Sequence, residues 1–191
     1  NLSKNNVFIG INVLGMSIAV GCCIVAYYAM EYDQRFDQHH EYRESVYRIG
    51  AERTFDGQLT RFGRVPLALG TAVTSAFQNV DASSRYVVAP TNLKRHDELF
   101  AADITYVDPD FFDMFSFEFI AGNASGIADP SSMVISETMA VRLFETAQQA
   151  LGKTLTQVTA HGERVVKIAA VFREQPMNSS FYQRNGSAFQ N

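Results

Sequence analysis

Residues 7–30 read VFIGINVLGMSIAVGCCIVAYYAM, and no Asp, Glu, Lys, Arg or His interrupts them. As a helix rising 1.5 Å per residue, this run is roughly 36 Å long, enough to cross a hydrocarbon core of about 30 Å with some tilt. Lys4 is the last full charge before it and Glu31 the first after it. A cation on the entry side, with Glu31, Asp33 and Asp37 on the exit side, predicts an N-terminus inside and a chain emerging on the far side. Tyr27, Tyr28 and Tyr32 suit the outer interface, where an amphipathic ring keeps one end apolar and one wet. Gly10, Gly15, Ala19 and Gly21, with Ser17 among them, would let a second helix approach closely. Asn12 favours such packing, because it is costly against lipid.

Two processing alternatives are weaker. A cleaved signal peptide has a shorter apolar core and small residues at the cleavage site, whereas this run ends Tyr27-Tyr28-Ala29-Met30. Ala19-Val20-Gly21-Cys22 loosely matches a lipoprotein cleavage box, yet Ile24–Met30 stays apolar where a mature lipoprotein turns polar at once. Cys22 and Cys23 read instead as small apolar fillers. They are the only 2 cysteines, so the rest of the chain folds without disulfides.

Beyond Met30 about 160 residues remain, enough for one ordinary domain or two small lobes. Of all 191 residues 47% are hydrophobic and 19% charged, a balance that excludes a disordered chain. The net charge of −4 leaves no basic footprint, so no nucleic-acid partner is expected. No Walker-type glycine loop is present to cradle ATP phosphates.

Residues 31–44 are polar and charged and predict a stalk that continues or follows the helix. From Ser45 to Phe55, β-branched and aromatic residues alternate with polar ones, the pattern of a half-buried strand. Asp56-Gly57 predicts a turn, with Gln58 to Gly63 pairing back. Pro66 opens a helix to about Asn79, with Leu69, Val73, Ala76 and Phe77 on one face. Strands are expected over Arg85–Ala89 and Leu99–Val107. Asp108-Pro109 then begins a short helical turn carrying Phe111, Phe112, Met114 and Phe115, read as a core plug. Met133–Ile135 predicts a short strand, and Ser136 caps a helix to Phe144 with Glu137 in its first turn. Lys153–Ala160 and Arg164–Arg173 predict a hairpin across His161-Gly162. The tail from Met177 is polar and ends without a finished element. Strands and helices mix without regular βαβ alternation, so the expected class is α+β: a transmembrane helix followed by a mixed extracytoplasmic domain.

No catalytic, cofactor or metal constellation rises above background. His39 and His40 are neighbours about 100° apart if helical, unlike an i, i+4 ligand pair, and read as a solvated stalk surface. His96-Asp97-Glu98 forms a charged turn, and His161 sits at a hairpin tip. Ser131, Ser132 and Ser136 lack a nucleophile motif. Asp108 and Asp110 flank Pro109 at a helix start, where negative charge is favoured anyway. No enzyme is expected.

Five stretches share a likeness in order. Ile11–Ile18 (INVLGMSI) resembles the first membrane helix of ABC transporter permeases of the MacB/FtsX type. The exit Tyr32–Asp37 (YDQRFD) with Val46–Ile49 (VYRI) is similar as well. So are Val107–Phe117 (VDPDFFDMFSF) with Ala121-Gly122, and Val134–Ala140 (VISETMA) through Phe144 with Leu151–Leu155 (LGKTL). The last is Val171–Glu174 (VFRE) with Pro176 and Asn178-Ser179. Ala170 stands where a Gly is common in that family. The resemblance implies a membrane helix over 1–30, a stalk over 31–44 and a MacB-like periplasmic core over 45–191, with a porter-like and a second lobe. It also implies the bacterial inner membrane, a second permease subunit as homodimer or heterodimer, a cytoplasmic ATPase that hydrolyses the ATP, and room for a periplasmic adaptor. Such permeases relay ATP-driven motion to the periplasmic domain for efflux or envelope export. The chain is expected to stop inside or just after the first part of that domain, before later membrane helices. A single-pass extracytoplasmic ligand-binding sensor or a lipoprotein is the alternative.

Overall fold

The computed structural model describes residues 6–159, 162–183 and 186–191. Lys4 and His161, both read above, lie outside the described residues. The chain divides into two compact units, one of Asn1–Gln38 with Asn178–Ser180, the other of His39–Met177 with Phe181–Asn191. The first is built on helix α1, Asn6–Gln34, so the helix runs four residues past the apolar stretch.

The second unit is mixed α+β, the expected class. It opens with a hairpin, β1 (Ala51–Phe55) and β2 (Gln58–Phe62). Asp56 and Gly57 at its tip have φ of 47° and 78°, the positive values a two-residue hairpin turn of matching twist requires. The strand expected from Ser45 starts only at Ala51. Helix α2 covers Leu69–Ala76, shorter than expected, and its apolar face is only partly covered, with Leu69 and Val73 half-buried and no residue fully buried.

Strands β3 (Tyr86–Arg95) and β4 (Glu98–Val107) form a second hairpin, followed by the short α3 (Phe111–Met114) and β5 (Phe119–Gly122). Then come β6 (Ser132–Ser136), α4 (Glu137–Phe144), α5 (Ala147–Ala150), β7 (Thr154–Thr159), β8 (Gly162–Phe172) and β9 (Ala188–Gln190). β8, β6, β9, β4, β3 and β7 pair in that order, and β7 pairs back onto β8, closing a ring. Closure depends on the length of β8. Gly162–Lys167 pair with β7, while Lys167–Phe172 pair with β6 on its other side. β6–β8 and β4–β9 are parallel, and the remaining ring pairs antiparallel.

Each ring strand sends at least one side chain into a common core: Leu93, Ile104, Ile135, Leu155, Ile168 and Ala188, joined by Leu143 and Phe144 of α4. Ser136 caps α4 as expected, its Oγ accepting from the Met139 amide at 3.3 Å and also from the Ser187 amide at 3.0 Å. At the other end of α4 the Arg95 guanidinium donates to the Leu143 carbonyl and lies 4.7 Å above the Phe144 ring. Along β6, Met133 and Ile135 face this core and Val134 faces the opposite way, the period-2 rule of a strand buried on both faces.

Val134 meets a second core of Phe111, Phe112, Phe172, Phe181 and Phe189. Phe111 is its hub, with ring centroids 4.9 Å from Phe115, 5.1 Å from Phe181 and 5.2 Å from Phe189. Edge and tilted contacts of this kind add roughly 0.5–1.5 kcal/mol each beyond the area buried. The core plug expected from the aromatic turn is therefore present.

The tail is where the expectation fails. β9 is the strand between β6 and β4, and Ser187–Gln190 are all buried. Three residues are too few for an alternation pattern, and Ser187 and Gln190 read as polar. Internal hydrogen bonds offset part of their burial: Ser187 N–H to Ser136 Oγ, and Gln190 Nε2 to the Pro130 carbonyl at 3.1 Å, while Gln190 Oε1 finds no partner among the described residues. On the far side of β3, β7 reaches only Asn92–Lys94. Among the described residues the outer edge of Tyr86–Thr91 is open, and Pro90, with no N–H to offer, suits an edge.

Candidate functional site

Among the described residues α1 is the one helix long and apolar enough to cross a membrane. Its backbone is satisfied within itself, and the Ser17 hydroxyl donates to the Val13 carbonyl at 2.8 Å, so that polar group needs no water. A Cβ built at Gly10, Gly15 or Gly21 meets nothing within 4 Å, so these positions form open notches on the helix surface.

The end of α1 is held by a short strap from late in the sequence. The last carbonyls of a helix have no intrahelical donors. Here Asn178 Nδ2 donates to the Arg35 carbonyl at 2.7 Å, across 143 positions of sequence. Asp37 takes a left-handed φ of 55°, and its own amide donates to the Asn178 carbonyl at 2.9 Å. The Asp37 carboxylate accepts from the Ser180 amide at 2.7 Å and from the Ser180 hydroxyl. Glu31 and Arg35 pair at 2.6 Å along the last turn, and Tyr32 meets Phe36 edge-on with centroids 6.4 Å apart. Asp37 and Asn178 thus bring together two of the stretches that carried the resemblance.

In the second unit His39 and His40 depart from the expected solvated surface. His40 is 3% exposed and packs edge-on against Phe115 and Phe181, with centroids 5.3 and 5.4 Å away. Its Nδ1 accepts from the Ser116 amide at 3.1 Å, which places the proton of the neutral ring on Nε2. The Glu41 amide returns a bond to Ser116 Oγ at 3.0 Å. His39 is exposed but not unattached, since its Nε2 lies 2.7 Å from Gln175 Oε1. Both residues follow the helix rather than extend it, and their rings stand 3.9 Å apart. The polar neighbours in sequence hid this, because the aromatic pocket that receives His40 is built by Phe115 and Phe181, both far along the chain.

Asp108 is more than a helix-start charge. It accepts from the Arg85 backbone amide at 2.8 Å and from Nε at 2.9 Å, while its own amide donates to Ser84 Oγ at 3.2 Å. The Arg85 hydrogen bonds hold the Asp108 carboxyl below its ordinary range against partial burial, and Asp108 raises the arginine in turn. Asp129 is likewise lowered, by bonds from the Ser131 hydroxyl and amide, which makes Ser131 a loop-bracing residue. His96 takes φ 55° in the β3–β4 turn. Ser132 is buried in β6.

One family model matches almost the whole of this chain. The MacB-like periplasmic core domain matches residues 9–189. The chain belongs to that family. A MacB-like periplasmic core is a transporter permease domain, so the α+β unit is of ABC-permease type. The chain is similar to a domain, described as that of a permease, from Porphyromonas gingivalis. Identity to it is 25% with a TM-score of 0.57, over 68% of this chain and 58% of that one. This chain therefore spans somewhat more than half the length of that relative. The extracellular domain of the ABC-type transporter YknZ from Gram-positive bacteria is 14% identical over 63% of this chain and 59% of that one, TM-score 0.48. The periplasmic region of MacB from Actinobacillus actinomycetemcomitans is 13% identical over 64% and 53%, TM-score 0.48. No curated protein matches the chain.

Proposed function

We propose that this MacB-like chain is a permease subunit, or the N-terminal part of one, in an ABC transporter of the MacB/FtsX type. In this reading residues 1–30 cross the bacterial inner membrane once from the inside, 31–44 form the stalk, and 45–191 are periplasmic core. A cytoplasmic ATPase supplies the energy, a second permease subunit completes the assembly, and a periplasmic adaptor can join it. The chain itself does no chemistry. Val7–Met30 acts as a mechanical lever and Tyr32–Tyr47 passes its motion outward, for efflux or envelope export.

The observation that carries this reading is the strap on the end of α1. Asn178 and Ser180 grip Arg35 and Asp37, so displacement of the helix end pulls on the chain at two points far apart in sequence. A helix serving only as an anchor would need no such second attachment. The test is topology. Alkaline phosphatase fused behind residue 60 is expected to be active, and green fluorescent protein at the same position dark. A fusion active only in the cytosol would overturn the orientation and the relay with it.

A further inference from the structure

We draw no further inference here: the strongest candidate, the exposed apolar face that Phe55 and Phe62 form on the β1–β2 hairpin, is an unpartnered face, and nothing in the structure shows what covers it.

Discussion

At Gly122 the backbone has φ +71°, and a Cβ there would stand 2.3 Å from the Ala169 carbonyl oxygen, an approach no flexible side chain can relieve. β5 meets β8 at this point, Gly122 opposite Ala170. Gly122→Ala therefore combines left-handed strain with a backbone clash, and should cost about 3 kcal/mol or more, read as a lower midpoint in urea. Full stability in that variant would mean the β5–β8 contact is misplaced. Asp108 makes a different prediction. Its folded pKa is depressed, so its contribution is complete above the unfolded carboxylate value of about 3.9 and disappears as pH falls through the folded one. Because the Arg85 side chain is 51% exposed, solvent screens the pair and the effect is about 1 kcal/mol. Asp108→Asn should be less stable than wild type by that amount at pH 7, with the gap closing at acid pH below the folded value. An equal gap at both pH values would assign the loss to shape rather than charge.

Among the elements, those written in local sequence were legible. The charge-free run gave α1, Asp56-Gly57 gave the first hairpin turn, and Ser136 gave the start of α4, because each signal lies within a few residues of its effect. β9 was not legible, since what buries it is a slot between β6 and β4 assembled elsewhere in the chain. The burial of His40 failed for the same reason, and so did the strap on α1, whose parts lie 143 residues apart. Of the candidate site, the sequence marked Asp37 and Asn178 through family likeness but gave no hint that they touch. The strap carries its own prediction. Asp37→Ala removes both acceptors of Ser180, and loss of one charge-assisted bond of about 1.4 kcal/mol corresponds to tenfold. Hydrogen exchange at the Ser180 amide should rise by roughly that factor, while the Ser187 amide in the core stays protected. Unchanged exchange at Ser180 would show that the strap does not depend on Asp37.

For the whole molecule, ring closure makes the six strands one cooperative object. Removing residues 186–191 takes out β9 and with it the Phe189 contacts to Phe111, Phe112, Phe117 and Phe172. The expected result is loss of the cooperative unfolding transition of the α+β unit, with α1 keeping its helicity in detergent. A shortened protein that still unfolds in one sharp transition would show that β6 and β4 hold together without the strand between them. The same arrangement governs how the protein is made. A ribosome adds roughly 5–20 residues each second, so some seconds separate synthesis of Phe111 from that of Phe189. Throughout that interval the phenylalanine-rich surface has no lid, and the nascent chain is open to chaperones and proteases until β9 arrives.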